Sequence, residues 1–221
     1  MASTTASPKT VLLLIDVQAG FASHPYWGTT RSNPSFESNT STLLTSYRTL
    51  LPSPNHKIIH VHHSSIHPES PLHPSSPGMQ PASYALPLPS ELPIHYKNVN
   101  SAFIGTPLES LLRAHFGADG GKLYVCGLTT DHCVSTSVRM AANLHAADGK
   151  GVAEDGAVKE LEGKGGEVIM IEDATAAWGK GGWDAETVHR VHVASLSGEF
   201  ARIAKTEEVL DEWKRLKENS A

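Results

Sequence analysis

The sequence is poor in cysteine, in basic residues and in long apolar runs, and each shortage excludes a class of protein. Its two cysteines, Cys126 and Cys133, cannot build a disulfide framework, and their spacing is not that of a metal-binding motif. A net charge of −5 with no basic block argues against a nucleic-acid partner. The longest apolar run, Val11–Ile15, is far shorter than the ~20 residues that a membrane-spanning helix needs.

The amino-terminal stretch Met1–Pro8 is small and polar, without the apolar core of a signal peptide. The remaining composition, with 39% hydrophobic residues and 18 glycines, is typical of a folded globular protein rather than a disordered one. A chain of 221 residues fits one domain. We therefore expect a single domain over residues 1–221, located in the cytoplasm and acting on a small molecule rather than on a membrane.

Short apolar runs alternate with helical patterns along the chain, which predicts a parallel sheet with helices on both faces, an α/β fold. Two of the runs lack polar alternation, as expected of strands that are covered on both sides. The candidate strands are Thr10–Val17, Lys57–His62, Pro93–Lys97, Lys122–Leu128, Glu167–Glu172 and Phe200–Ala204.

Helical spacing predicts four helices between these strands: one around Leu43–Tyr47, one after Thr106-Pro107, one from Asp131 with that residue as N-cap, and one from Asp184. Two further segments carry no regular pattern. Pro68–Pro93 is rich in proline and is predicted to form a long loop near the carboxyl edge of the sheet. Residues 148–166 are rich in Gly, Asp, Glu and Lys and are predicted to form a solvated insertion with at most one short helix.

Polar residues end three of the predicted strands, at the edge where open parallel sheets bind their ligands. Asp16 ends a very apolar run, either as a turn-forming residue or as a carboxylate whose protonation burial can tune. Lys97 is an ordinary surface lysine or a partner for Asp16. Cys133 follows a strand-to-helix turn, where helix N–H groups favour a thiolate and can hold an oxyanion, or it is a buried core residue like Cys126.

Four motifs in this region resemble those of the isochorismatase-like cysteine hydrolase superfamily, which includes isochorismatases, nicotinamidases and N-carbamoylsarcosine amidohydrolases. The resemblance extends over roughly Thr10 to Thr206, apart from the insertion. It implies a six-stranded parallel sheet flanked by helices, a Rossmann-like three-layer fold, and a homo-oligomer. The motifs are Leu14–Phe21, Lys97–Phe103 with Gly105–Leu108, Gly127–Val134 and Asp173–Ala176.

The resemblance also implies a catalytic triad of Asp16, Lys97 and Cys133. A cis peptide bond would join Leu128 to Thr129, and the backbone N–H groups of Thr129 and Cys133 would form the oxyanion hole. Cys133 would then attack a carbonyl carbon and pass through a thioester, with Asp16 as the acid and base.

The sequence departs from the family at the metal site of nicotinamidases, an Asp-x-His pair for which this chain has His63 and Ser65. We therefore expect no cofactor, with a metal ion near His63 as the alternative, since imidazole binds several metals. The expected role of His63 is a hydrogen bond to substrate. The other substrate-binding candidates are Phe21, Trp27, Phe103 and His132, with Trp178 as a further aromatic wall, although each aromatic residue can equally be core packing.

Three functions remain open on the sequence. The first is a metal-independent cysteine amidohydrolase that cleaves the C–N bond of a small amide or lactam. The second is an isochorismatase-type hydrolase of an enol ether, although that reaction does not need the thiol of Cys133. The third is a scaffold without catalytic activity that binds a metabolite or a partner protein.

Overall fold

A computed structural model describes residues 8–22, 26–149, 151–152, 158–159 and 165–218. Its main sheet has six parallel strands in the order β3-β2-β1-β4-β7-β8. The predicted α/β fold with a six-stranded parallel sheet is therefore confirmed. These strands are β1 Thr10–Ile15, β2 His56–His63, β3 His95–Lys97, β4 Lys122–Leu128, β7 Glu167–Ala176 and β8 Arg202–Ala204.

Within the described residues, five α-helices cover the two faces of the sheet. Side chains alternate between the faces of a strand, so β1 is buried on both sides and needs no polar alternation. Leu12 and Leu14 pack in one core with α1 and α5, and Leu13 and Ile15 pack in another with α2, α3 and α4. The helices are α1 Phe36–Arg48, α2 Leu108–Phe116, α3 Ser135–Asn143, α4 Ala185–Leu196 and α5 Thr206–Glu218.

The order of the strands puts the reversal point of the sheet between β1 and β4. The chain builds outward from β1 through β2 to β3, then crosses back to place β4 on the other side of β1. A crevice opens beyond the carboxyl ends of the strands at such a point. This topology therefore brings the ends of β1 and β4 together, with the end of β2 beside them.

The largest error in the strand boundaries concerns β7, which was predicted to end at Glu172 and runs to Ala176. Its pairing with β4 is interrupted by a bulge: Val125 pairs with Met170, whereas Gly127 pairs with Thr175. The polar residues Glu172 and Asp173 fall in this bulge, so the apolar pattern stops before the ladder resumes.

The helix predicted from Asp131 starts differently from the expectation. Residues Thr130–Val134 form a π-helical turn and α3 begins only at Ser135. Asp131 is not the N-cap; its carboxylate contacts the ammonium of Lys180 instead. By contrast, the helix predicted from Asp184 starts where expected. Asp184 is the N-cap of α4, because its Oδ1 accepts a hydrogen bond of 2.8 Å from the amide of Thr187.

The two segments without a periodic pattern differ in how far the structure describes them. The predicted long loop Pro68–Pro93 contains only short 3₁₀ turns and packs inward through the buried Leu72. In the insertion 148–166, Gly151–Val152 and Val158–Lys159 form a short antiparallel pair, β5 and β6, that was not predicted. The other residues from 150 to 164, like those from 1 to 7, lie outside the described residues. No helix in the described ranges is both long and apolar enough to cross a bilayer.

Candidate active site

The structure brings Asp16, Lys97 and Cys133 together beyond the carboxyl edge of the sheet. Nζ of Lys97 lies 2.7 Å from Oδ2 of Asp16 and 3.2 Å from Sγ of Cys133. All three residues are buried, with exposed fractions of 0%, 2% and 8% for Asp16, Lys97 and Cys133. These three residues, singled out separately in the sequence, therefore form one cluster.

Each member of the cluster comes from a different strand end. Asp16 follows β1 with φ of +54°, a left-handed conformation that Asp tolerates better than most residues. Lys97 is the last residue of β3, and its long side chain extends past the end of β2. Cys133 lies in the π-helical turn after β4. Because β2 lies between β3 and β1, the long side chain of Lys97 crosses the gap to reach Asp16.

A third acceptor contacts the lysine ammonium. Nδ1 of His63, the last residue of β2, lies 3.3 Å from Nζ of Lys97. An ammonium carries three N–H groups, and here they have three partners: a carboxylate, a sulfur and an imidazole nitrogen. His63 was predicted to bind substrate, and it does line the cavity described below, but the contact that the structure gives it is with Lys97.

The electrostatics of the cluster favour a protonated thiol at rest. Burial raises the pKa of the Cys133 thiol well above its usual range, and the Asp16 carboxylate raises it further, against the opposing effect of Lys97. Burial alone would lower the pKa of Lys97, but its partners, first of all the Asp16 carboxylate, raise it, so the ammonium stays charged. The sequence predicted a thiolate stabilised by the start of a helix. Cys133 instead precedes α3, and burial acts against its ionisation.

The backbone before Cys133 has an unusual course. The peptide bond between Leu128 and Thr129 is cis. The carbonyl of Thr129 accepts hydrogen bonds of 3.1 Å from the amides of both His132 and Val134, which closes the π-helical turn. Neither bond uses the amide of Cys133. Thr129 also lines the cavity beside the sulfur.

A cavity of about 100 Å³ opens above the sulfur. Phe21 and Trp27, which stack with ring centroids 4.6 Å apart, form an apolar wall, and polar side chains lie opposite. Of the predicted substrate-binding residues, four line it. The lining residues are Asp16, Phe21, Trp27, His63, Leu72, Asn100, Thr129, His132 and Cys133.

Two other aromatic candidates lie elsewhere. Phe103 is buried in the core cluster that α2, α3 and α4 share with the sheet, and it does not line the cavity. Trp178 is buried behind the aromatic wall, with its ring centroid 5.8 Å from that of Phe21. Trp178 thus supports the wall by packing against Phe21, whereas Phe103 packs in the core. Packing is the alternative that the sequence left open for each aromatic residue.

Two of the lining residues, Asn100 and Leu72, were not predicted from the sequence. Asn100 lies with its Oδ1 3.8 Å from Sγ of Cys133, and its place within the motif Lys97–Phe103 was the available signal. Leu72 belongs to the proline-rich loop, where no periodic pattern marks a residue as buried. Only the folded path of that loop brings Leu72 to the cavity.

The residues at the site do not fit a nicotinamidase-type metal. Oγ of Ser65, at one of the two ligand positions, accepts a hydrogen bond of 3.2 Å from the amide of His67. One ligand atom each from Asp16, His63 and Cys133 lies within 4.8 Å of the others, a set that suits a metal by composition. However, the ammonium of Lys97 already contacts all three residues. The cluster thus already contains a cation, the Lys97 ammonium, which contacts the same three residues that a metal ion would use.

Comparison with known proteins identifies the fold and its relatives. A family model described as the isochorismatase domain matches residues 10–208. The isochorismatase-family protein YrdC of Bacillus subtilis is 33% identical over 210 residues, which cover 93% of this chain and 96% of YrdC. A crystal structure of an isochorismatase-family protein from Chromobacterium violaceum superposes with a TM-score of 0.75 at 31% identity and covers 97% of this chain and 96% of its own.

More distant structures share the fold alone. The nicotinamidase/pyrazinamidase PncA of Bacillus subtilis superposes with a TM-score of 0.59 at 20% identity, covering 89% of this chain and all of PncA. At that identity the similarity concerns the arrangement of strands and helices. The chemistry of the site must then be argued from the residues of this chain.

Proposed function

This chain belongs to the isochorismatase family of hydrolases, and we propose that it cleaves the C–N bond of a small amide or lactam through a thioester on Cys133. The observation that carries the proposal is the contact of one buried ammonium, that of Lys97, with both the Asp16 carboxylate and the Cys133 sulfur. A cation in that position stabilises a thiolate as it forms and leaves the carboxylate ionised to accept the thiol proton.

In the first step, Asp16 takes the proton from the Cys133 thiol while the sulfur attacks the carbonyl carbon of the substrate. Oδ1 of Asp16 is buried and has no hydrogen-bond partner among the described residues, so one oxygen is free to accept this proton. The carboxylate lies within 4.8 Å of the sulfur, and a small movement on substrate binding completes the contact. The carbonyl π electrons move to the oxygen and give an oxyanion.

In the second step, the oxyanion collapses and the C–N bond breaks. The proposed oxyanion hole consists of the N–H groups of Thr129 and Cys133, two residues that line the cavity. Asp16 returns its proton to the departing amine, and the acyl group remains on sulfur as a thioester. A water then attacks the thioester and gives its proton to Asp16, which passes it to sulfur as the C–S bond breaks.

The dimensions of the cavity limit the substrate. A volume of about 100 Å³ is well below the ~300 Å³ at which pockets for drug-sized ligands begin. The stacked rings of Phe21 and Trp27 suit a flat or apolar acyl group, while the polar residues opposite suit the amide. The proposed substrate is thus a compact amide rather than a peptide.

The two alternative functions make less use of this geometry. Hydrolysis of an enol ether requires no nucleophilic sulfur, so it gives no reason for the contact between Lys97 and Cys133. A binding module would gain little from burying a carboxylate and an ammonium, because the desolvation of both charges is costly. Neither alternative accounts for the cluster as the thioester route does.

A hydrolysis screen tests the proposal. Purified protein is incubated with a panel of small amides and lactams, with isochorismate as the comparison substrate, and ammonia, amine and pyruvate are measured. We expect amine or ammonia release that is lost in Cys133→Ala and retained in Cys126→Ala, the matched control in the core. Acid quenching during turnover should leave an adduct with the mass of the acyl group on the peptide that contains Cys133.

Two results would contradict the proposal. Pyruvate release from isochorismate that persists in Cys133→Ala would favour the enol-ether reaction. Turnover of an amide without loss in Cys133→Ala would remove the sulfur from the mechanism. That the protein forms a homo-oligomer stays a prediction, which sedimentation velocity can test.

A further inference from the structure

The side chain of Gln18 ties the end of β1 to the end of β2. Its Nε2 donates a hydrogen bond of 3.0 Å to the carbonyl of His63, and its Oε1 accepts one of 2.8 Å from the amide of the same residue. The backbone of β1 leaves the sheet at Asp16, whose φ is +54°. Beyond the end of β1, the side-chain amide of Gln18 therefore forms the hydrogen bonds to β2 that a backbone peptide group would form within the ladder.

The orientation of this amide is fixed by its partners. Nε2 also faces the carbonyl of Met79 at 3.2 Å, so the nitrogen faces two acceptors and the oxygen faces a donor. Gln18 is 1% exposed, which leaves no room for water to replace a lost partner. A glutamate in this place would direct a carboxylate oxygen at two carbonyls, although its shape is almost the same.

His63, whose backbone is held by Gln18, is the third acceptor of the Lys97 ammonium. Burial and the nearby Lys97 lower the pKa of His63, so its ring is neutral near pH 7 and can accept a hydrogen bond. The Asp16 carboxylate and the backbone of Val99 oppose this effect and raise the pKa in part. Nδ1 then lies 3.3 Å from Nζ of Lys97.

We infer that Gln18 and His63 are positioning residues that aim the Lys97 ammonium at Asp16 and Cys133. The inference rests on the proposed function, because it assigns these residues a part in the same proton transfer. An ammonium with only two partners can rotate or take up water, and it then stabilises the forming thiolate less. Gln18 acts indirectly, through its hydrogen bonds to the backbone of His63, and contacts neither the substrate nor the sulfur.

The test compares Gln18→Glu with the control Gln80→Glu, which makes the same change at an exposed position of the adjoining loop. The substrate is the amide found in the screen. We expect kcat to fall by about 100-fold in Gln18→Glu, because a displacement of about 1 Å at the reacting groups has an effect of that size. KM should change by less than about threefold. Gln80→Glu should match the wild type. Thermal unfolding of each variant shows that the fold is retained.

His63 supplies the second pair of variants. His63→Leu removes the acceptor, and its kcat should fall by about as much as that of Gln18→Glu. His63→Asn restores an acceptor near the position of Nδ1, and its kcat should be about tenfold higher than that of His63→Leu. A rise in KM of tenfold or more in both His63 variants with kcat unchanged would overturn the inference, because it would make His63 a substrate contact. Equal kcat in Gln18→Glu and the wild type would also overturn it.

A readout without substrate separates this inference from the proposed function. The rate of alkylation of Cys133 by iodoacetamide, followed against pH, reports how well Lys97 stabilises the thiolate. We expect the rate at pH 8 to fall by about tenfold in Gln18→Glu and His63→Leu, which corresponds to a rise of about one unit in the thiol pKa. An unchanged alkylation profile in both would contradict the positioning role. Absence of hydrolysis from the wild type, with the alkylation shift present, would count against the proposed function only.

Discussion

Nζ of Lys97 lies 2.7 Å from Oδ2 of Asp16, and both side chains are fully buried. Burying two charges costs more free energy than one hydrogen bond returns, so such a pair is a poor device for stability alone. Here the ammonium has further partners in Cys133 and His63. The pair is therefore best understood through what it does to the sulfur.

The first prediction concerns the loss of this ammonium. Lys97→Met keeps an unbranched side chain, one atom shorter and uncharged, and leaves the Asp16 carboxylate buried without its partner. We expect kcat to fall by about 10³-fold, the upper range for removing one electrostatic stabiliser, and the free energy of unfolding to fall by about 3 kcal/mol. Amide hydrolysis and urea unfolding measure the two effects.

A double variant separates the two effects. Asp16→Asn combined with Lys97→Met removes both charges, so it should recover much of the lost stability while activity stays absent. A single variant, Lys97→Met, with a near-wild-type rate would remove the lysine from the mechanism.

The second prediction concerns the pH dependence of alkylation in the wild type. Because burial and Asp16 raise the pKa of the Cys133 thiol, the thiolate fraction keeps increasing above neutrality. We expect the alkylation rate of Cys133 to rise by about tenfold for each pH unit through pH 9. Cys126 should stay unmodified, since it is fully buried and burial raises its pKa to about 12. Peptide mapping after timed labelling distinguishes the two, and a rate plateau near pH 7 would instead indicate a stabilised thiolate.

The third prediction concerns the close approach of β4 to β1. Gly127 has φ of +124°, and a Cβ there would lie 1.9 Å from the carbonyl oxygen of Ile15. We expect Gly127→Ala to lower the free energy of unfolding by more than about 3 kcal/mol and to abolish activity, because the strands that carry Asp16 and Cys133 must separate. Thermal and urea unfolding measure the change.

Gly182→Ala is the control for the backbone conformation alone. Gly182 also has a positive φ, +84°, but nothing lies within 4 Å of the added Cβ. Its cost should be about 1 kcal/mol, the cost of a left-handed residue without a clash. Equal destabilisation by the two substitutions would show that the contact with Ile15 is unimportant.

The fourth prediction concerns stability in acid. Glu91 is almost fully buried, and hydrogen bonds from Arg48 and His60 outweigh burial and lower its pKa to about 2. Because this pKa lies below the ordinary 4.5, the contribution of the carboxylate is fully present above pH 4.5 and is lost as the pH falls toward 2. Glu91→Gln should therefore destabilise the protein by about 3 kcal/mol at pH 7 and by little at pH 2.

Glu109→Gln provides the matched control for Glu91. Glu109 pairs with Arg113 one helical turn away on an exposed surface, where such a pair contributes about 0.4 kcal/mol. Urea unfolding at several pH values measures both variants. A difference between wild type and Glu91→Gln that stays constant from pH 7 to pH 2 would contradict the assignment.

The sequence predicted the architecture well because buried parallel strands leave a strong local signal. Val11–Ile15 and Val168–Ile171 are short apolar runs without alternation, and both became central strands. The end of β7 was missed because Glu172 and Asp173 belong to a bulge, which a periodic pattern cannot represent. The prediction of Asp131 as an N-cap was wrong because a π-helical turn, rather than a regular first turn, precedes α3.

For the site, the sequence identified the residues better than their electrostatics. Motifs indicated Asp16, Lys97 and Cys133, since each lies at the end of a strand or shortly after it. The raised pKa of the thiol was missed because it depends on burial from all sides, to which distant loops contribute. The contact between His63 and Lys97 was missed for a similar reason, because it requires the register of β2 against β3.

The reversal of strand order between β1 and β4 has a consequence for the order in which the residues of the site are synthesised. Asp16, His63 and Lys97 all precede the crossover, whereas Cys133 follows it. A nascent chain on the ribosome therefore makes its charged groups well before it makes its reactive sulfur. If Cys133 is the nucleophile, as proposed, the cluster with Asp16, His63 and Lys97 is complete only when the later half of the chain packs against the earlier strands.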